Sequence, residues 1–566
     1  MLRRTFIKGV TTASIAGVAG IKLQASIPHK TPSRKTILEG NEFFLEIDYT
    51  TVNKTGKPTI ATTINGQIPG PTLVWKEGET VTIHVTNYLK KSSSIHWHGI
   101  ILPYKMDGVP GVSYEGIAPG ETFTYRFKVH QHGTFWYHSH SGYQEQTGMY
   151  GAIVIKPKHK EPFHYDREHT ILLSDWSDEK PDSIYRKLKL LSNYYNFNQK
   201  TIGDFFSEVK QKGFSKALSD RKMWNHMRMS DRDLSDVTGY TYTYLMHGNN
   251  PATQFKALFK KGEKVRLRFI NGAAMSFFDI RIPELTMTVV AADGNHIKPI
   301  RVDEFRIGVA ETYDVIVEPS SVKAYAIFAQ SIDRSGYALG SLTPSNSLLS
   351  KAPRMDNPQA LTMVDMGMKM SMKSHKKMSM GMKKYRWEEM ETQKYPITPL
   401  PMAKGPQTTM VATDPKYRLE DPGVGLRNNG RRVLTYADLK NRYSTIDAPK
   451  PNREIVLHLT GNMERYMWSI NGIKYADAKP LIFHYGERLR ITLINDTMMN
   501  HPMHLHGLWS DLETGDDNHL VRKHTVIVQP GSKISYRVTV DAKGAWVYHC
   551  HLLYHMAGMF RKVVVI

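Results

Sequence analysis

Gly486-Glu487-Arg488-Leu489-Arg490-Ile491-Thr492-Leu493-Ile494-Asn495 is a turn glycine followed by alternating apolar and polar residues, the period of a half-buried strand. The same pattern stands at Gly262-Glu263-Lys264-Val265-Arg266-Leu267-Arg268-Phe269-Ile270-Asn271, and again at Gly78-Glu79-Thr80-Val81-Thr82-Ile83-His84-Val85-Thr86-Asn87. Asn-Gly pairs, the chemistry of tight hairpin turns, precede two of the three copies as Asn65-Gly66 and Asn471-Gly472. A second element recurs in the outer copies. Pro119-Gly120 opens a segment ending at His138, Pro530-Gly531 opens one ending at His549, and both separations are nineteen residues. A unit repeated in this way predicts an all-β chain of three Greek-key β-sandwich domains in series.

We place these domains at 40–158, 165–345 and 400–566. Lys156-Pro157-Lys158 closes the first, and a Pro/Ser-rich stretch from about Leu342 closes the second. Residues 178–230 interrupt the β pattern, and Ile184, Leu188 and Leu191 have helical spacing, which predicts a partly helical insertion in the second domain. Residues 346–399 form the linker to the third.

At 566 residues the chain is too long for one domain, and it contains no apolar run of membrane-spanning length. The mature chain is therefore expected to be soluble and to have no membrane span. A single cysteine excludes a disulfide framework, a Cys-rich zinc domain and a Cys-ligated iron–sulfur cluster. The net charge of +22 favours anionic neighbours without specifying nucleic acid. Arg3-Arg4-Thr5-Phe6-Ile7-Lys8, followed by a weakly apolar run from Val10 to about Ala25, reads as a twin-arginine export signal over residues 1–27. Export by the twin-arginine machinery delivers folded, often cofactor-bearing proteins to the periplasm, so no nucleic-acid partner is expected. In an oxidising compartment a lone thiol needs a ligand to hold it or a reaction to perform.

Four His-x-His pairs stand at matching ends of the first and third domains: His96/His98, His138/His140, His504/His506 and His549/His551. On a strand, residues i and i+2 share a face, so each pair presents two imidazoles side by side. With 25 histidines in the chain, one such pair is expected by chance, but four at equivalent positions of a repeat are not. A fifth pair, His130/His132, aligns with Asp541 and Lys543 and reads as an ordinary loop pair. The cysteine lies inside one pair, as His549-Cys550-His551, where the first domain has Ser139. With His501 upstream and His555 and Met559 downstream, it gives the two imidazoles, thiolate and weak thioether of a blue-copper electron-transfer site.

His96-Trp97-His98-Gly99, His138-Ser139-His140, His501-Pro502-Met503-His504-Leu505-His506-Gly507 and His549-Cys550-His551 together resemble the four copper motifs of the multicopper oxidases, of the bacterial copper-resistance type. The resemblance covers nearly the whole mature chain. It implies three cupredoxin-like domains and four copper ions. His501, Cys550, His555 and Met559 would hold one type 1 copper. His96 and His504 would hold the type 2 copper, and His98, His138, His140, His506, His549 and His551 the type 3 pair. Cys550, bonded through the backbone to two cluster ligands, would carry electrons from substrate towards O2. The second domain lacks the pairs and is expected to be scaffold.

Two features depart from the family pattern. His555 and Met559 are four positions apart, one fewer than usual, which leaves Met556 as a rival axial ligand. Met556 also stands where several relatives carry an acid. Asp107 resembles another family acid near the cluster and is the proton-relay candidate, the alternative being a turn-forming Asp before Gly108.

Residues 363–390 hold nine of the 28 methionines, alternating with Gly, Ser and Lys and leaving no periodic apolar face. Thioethers select Cu(I), so this methionine-rich segment is expected to recruit copper, with His375 adding an imidazole. Met223, His226, Met227 and Met229 form a smaller group whose spacing also suits helix packing. The expected function is a periplasmic oxidase coupling one-electron oxidation, of Cu(I) before other substrates, to reduction of O2 to water in copper resistance. The alternatives are a laccase-like oxidase of small phenols and a periplasmic Cu(I)-buffering protein.

Overall fold

The computed structural model describes residues 35–226, 229–368, 390 and 394–566. The expected export signal, most of the methionine-rich segment and the Met227 position lie outside the described residues. The described chain folds into six sheets, paired as three sandwiches. The first sandwich packs a five-stranded sheet containing Gly133–His138 and His96–His98 on a four-stranded sheet containing Thr80–Asn87. The second pairs six- and five-stranded sheets, and the third pairs seven- and five-stranded ones.

The repeated sequence occupies the same place in each. Thr80–Asn87, Val265–Asn271 and Arg488–Asn495 each pair in parallel with an earlier strand of their sheet, and antiparallel with a later strand on the other side. The asparagine that ends every copy is fully buried, and its side-chain amide donates to backbone carbonyls of neighbouring segments. Asn87 donates to Lys91 and Ile117, Asn271 to Ser276 and Ile307, and Asn495 to Met499 and Val528. The Asn-Gly pairs form two-residue turns with both residues at positive φ, bridging Ile64 to Gln67 and Ile470 to Ile473. The second sandwich makes the same turn with His247-Gly248, bridging Met246 to Asn249, so histidine conceals the third copy.

The interruption of the second sandwich contains helices Pro181–Leu190, Ile202–Lys212 and Phe214–His226. Proline at the first turn starts one, and a Thr201–Asp204 capping box starts the next. Ile184 and Leu188 are buried as their spacing predicts, whereas Leu191 ends its helix and is 53% exposed. Among the described residues no helix is long and apolar enough to cross a membrane.

Candidate metal centres

The two outer sandwiches present their histidines from strand pairs built alike. His96–His98 runs antiparallel to Gly133–His138 with His96 opposite His138. His501–Leu505 runs antiparallel to Gly544–Cys550 with His504 opposite His549 and Met503 opposite Cys550. The two sets face each other across the seam between sandwiches. The rings of His96 and His506 stack at 4.0 Å, and those of His98 and His504 at 3.7 Å. All eight paired histidines converge, from residues about four hundred positions apart in the chain.

Their nitrogens sort into groups. His98, His138 and His551 form one triad, and His140, His506 and His549 another, with ligand atoms within 4.8 Å of one another in each. His96 and His504 approach at the edge, grouped with His506. The nitrogens facing inward have no hydrogen-bond partner: Nε2 of His96, His138, His140 and His504, and both nitrogens of His98 and His551. Buried polar atoms are normally paired, so a cluster of orphaned nitrogens aimed at one point fits metal. Burial, reinforced by neighbouring imidazoles, pushes His98, His138, His504, His506, His549 and His551 well below the usual histidine range and His140 down to about 3. The rings are therefore neutral, with lone pairs free to ligate.

The opposite ring edges are tied down. His138 Nδ1 meets Glu145 Oε2 at 2.6 Å, and His506 Nδ1 meets Asp107 Oδ2 at 2.9 Å. His96 Nδ1 donates to the Asp107 carbonyl at 2.7 Å, His504 Nδ1 to that of His524 at 2.6 Å, and His549 Nδ1 to that of Cys550 at 3.0 Å. Such bonds fix tautomer and ring orientation. Asp107 is thus buried beside two cluster histidines, and it also precedes Gly108, which has φ of 82°.

Beyond the cluster, Cys550 Sγ lies 3.4 Å from His501 Nδ1 and 3.8 Å from His555 Nδ1, and the two Nδ1 atoms are 3.4 Å apart. Three donors around one ion at about 2.0 Å for nitrogen and about 2.3 Å for sulfur stand about 3.5–3.8 Å apart, so the set fits a single metal. Thr497 Oγ1 holds His501 Nε2 at 2.7 Å, and Asp236 Oδ2 holds His555 Nε2 at 2.8 Å. Burial pushes the Cys550 thiol up, so a metal must displace its proton. Met559 is fully buried, and its carbonyl accepts the Cys550 N–H at 3.0 Å. Met556 is half-buried and packs both against the main core, which includes Cys550, and against Val109, Val547 and Phe560. Val547 is odd-numbered on the strand of Cys550 and so faces the other way. In the first sandwich Ser139 donates its hydroxyl to Gln144 at 2.8 Å instead.

Three models described as multicopper oxidase match residues 46–160, 167–347 and 448–566. This chain belongs to the multicopper oxidase family. The oxidase is 53% identical to copper resistance protein A of Escherichia coli, over 99% of this chain and 98% of that one. It is 31% identical to the multicopper oxidase MmcO of Mycobacterium tuberculosis, over 90% and 84%. Among solved structures, Fet3p, a multicopper oxidase that functions in iron import, superposes with a TM-score of 0.65 at 19% identity, covering 93% of this chain and 90% of that one. It is an oxidoreductase that uses O2, and the family implies copper as its cofactor.

Four residues of these centres escape sequence reading in this multicopper oxidase: Thr497, Glu145, Asp236 and His524. None has a repeat counterpart to flag it. Asp236 also amends the scaffold expectation, since the second sandwich supplies no histidine pair yet reaches His555 directly. Of the fifth pair, His132 packs against His296 with ring centroids 4.6 Å apart, and neither His130 nor His132 joins a ligand group among the described residues. Met229 packs partly buried against the core, while the side chains of Met223, His226 and Met227 lie outside the described residues.

Proposed function

We propose that this multicopper oxidase is exported by the twin-arginine route to the periplasm, where it oxidises Cu(I) and reduces O2 to water in the service of copper resistance. Four coppers are assigned: one at His501, Cys550, His555 and Met559, one at His96 and His504, and one at each histidine triad. When bound, copper supplies one-electron acceptance at the cysteine site and four-electron reduction of O2 at the cluster. The observation that carries the reading is covalent. Cys550, in the three-donor site, is flanked by His549 of one triad and His551 of the other.

The protein's own part is to bind, orient and exclude. Burial of every paired histidine but His140 keeps solvent from the cluster. Glu145 and Asp107 hold protons on the Nδ1 atoms of His138 and His506, leaving Nε2 as ligand. Asp107 Oδ2, buried against the cluster, is the group placed to pass a proton inward. Asp236, between His555 Nε2 and the hydroxyl of Tyr466 at 3.0 Å, sets the orientation of the ligand ring from outside. The name of the relative with 53% identity and the thioethers of segment 363–390 support Cu(I) as the substrate.

The test is oxygen uptake by copper-loaded protein with Cu(I) as sole reductant. Uptake is expected in the native enzyme and lost in Cys550→Ser. Undiminished uptake by that variant overturns the oxidase reading, and uptake with phenols but not with Cu(I) overturns the substrate.

A further inference from the structure

His524 belongs to none of the histidine pairs, yet it lies against the cluster. It is 2% exposed, and one of its ring nitrogens stands within 4.8 Å of ligand atoms of both His98 and His504. Its ring meets those of His98 and His504 edge-on, at interplanar angles of 79° and 89°. Its Nδ1 is engaged, 3.2 Å from Thr525 Oγ1 and 3.6 Å from Asp293 Oδ2, while its Nε2 is buried without a partner.

The backbone around it is held from the second sandwich. Asp293 Oδ2 accepts the N–H groups of His524 and Thr525 at 3.1 and 3.2 Å. That carboxylate is itself fixed by the ammonium of Lys523 at 3.0 Å, and its other oxygen accepts the Thr312 N–H at 3.0 Å. Space for the ring is built into the neighbouring chain. Gly99, directly after His98 and at φ of 77°, would place a Cβ 2.4 Å from His524 Cδ2. Any side chain at position 99 would strike the imidazole.

His98 has the complementary deficiency. Histidines that hold a metal through one nitrogen donate the other N–H to an acceptor. His96, His138, His504, His506 and His549 do so, whereas both nitrogens of His98 and of His551 lack a partner, and of these two only His98 is grouped with His524. We propose that His524 is the positioning residue for His98: with its proton on Nδ1, it presents the Nε2 lone pair to the N–H of His98, directly or through one water, when His98 holds copper. The outcome is an Asp293–His524–His98 relay that carries the second sandwich's grip into the cluster. This inference takes the copper assignment above as given.

The experiment compares His524→Asn with His524→Gln in the full mature chain loaded with copper. The Gln side chain can set an acceptor near the Nε2 position, and the shorter Asn cannot. The readouts are copper per chain after dialysis against a chelator, the near-ultraviolet band of the paired coppers, and the paramagnetic signal of the two-histidine copper. The blue band of the Cys550 site serves as the control in each sample. Cluster copper should be lost about 10- to 100-fold more readily from the Asn variant with the blue band intact, and the Gln variant should regain most of the native retention. Native retention and spectra in both variants, or equal loss in both, overturn the proposal. Should either variant lose its blue band, nitrogen resonances of 15N-histidine protein in the reduced, diamagnetic state decide the matter. An unprotonated Nε2 on His524 is expected there, and a protonated one overturns the proposal. Native protein that fails to show the cluster bands at all would instead overturn the copper assignment.

Discussion

Replacing Asp314 with alanine tests how the second sandwich holds the first. Asp314 is 1% exposed, and its Oδ2 accepts from Arg266 Nε and Nη2 at 3.2 and 2.6 Å and from Arg268 Nη1 at 3.2 Å. Its Oδ1 accepts from Thr134 Oγ1 at 2.8 Å, and the same hydroxyl receives Arg268 Nη1 at 2.9 Å. Thr134 lies on Gly133–His138, the strand that delivers His138 to the cluster. Breaking a buried ion pair by deleting one partner costs about 3–5 kcal/mol. Here Glu161 and Glu168 remain on the two guanidiniums, at 2.7 Å each, so no cation is left bare and the low end, about 3 kcal/mol, applies. For a unit of this size that corresponds to a fall in melting temperature of roughly 6–12 °C. Thr134→Val removes only the hydroxyl and should cost about 1 kcal/mol. The two share partners, so the double variant should be less damaged than the sum, by about 0.5–1 kcal/mol. Differential scanning calorimetry of the four proteins gives the cycle. An Asp314→Ala protein that melts within about 2 °C of the native one, or strict additivity, would refute the view that this carboxylate clamps the seam.

Three further outcomes are expected. Asp236→Asn weakens the acceptor at His555 Nε2, and retention of the blue copper against a chelator should fall about 10- to 100-fold while cluster copper is kept. Asp107→Ala frees Nδ1 of His506, and oxygen turnover should drop about 10- to 100-fold, read with a Clark electrode on samples of equal copper content. Glu161 is driven down to about 2 because His296 and Arg266 outweigh the burial that opposes its ionisation. Its folded value lies below the ordinary 4.5, so its stabilisation is complete above that pH and is lost as pH falls towards 2. The melting difference between native protein and Glu161→Gln should therefore be constant at neutral pH and shrink in acid, and a difference that widened in acid would reverse the sign of the argument.

Repetition made the fold and the eight paired histidines legible. A strand pattern that recurs three times, ending each time on a buried asparagine, records a structural task repeated in each sandwich. The His-x-His pairs recur for the same reason, at strand ends that the sandwich presents alike. What lay hidden is what occurs once. The third tight turn escaped because His247 takes the αL position that Asn65 and Asn471 occupy elsewhere, with φ of 48° against 54° for both. Asp236 and Glu145 are single carboxylates, and only the folded chain shows that each ends 2.8 and 2.6 Å from a ring nitrogen. Leu191 shares the helical spacing of Ile184 and Leu188 but lies one residue past the end of the helix and is exposed. Met559 and Met556 could not be separated by spacing alone; in the fold Met559 is fully buried, whereas Met556 is half-buried and packs both against the main core and against Val109, Val547 and Phe560.

The second sandwich, with no histidine pair, nonetheless touches each part of the metal-binding assembly through a buried carboxylate. Asp314 grips the strand of His138, and Asp293 grips the backbone at His524. Asp236 bonds His555. Asp175 accepts N–H groups of Ala274 and Met275 at 2.9 and 3.0 Å, shaping a loop whose Ala274 carbonyl takes the Leu553 N–H at 3.0 Å, two residues from His555. Carboxylates suit this task because one group can accept several donors from different chains at once, and burial makes each bond costly to break. The two outer sandwiches face each other across a cluster of buried imidazoles, and a single bond such as His506 to Asp107 does not fix their spacing. A middle unit that grips both sides at fixed points supplies that spacing, which accounts for a sandwich kept in the chain without a histidine pair of its own.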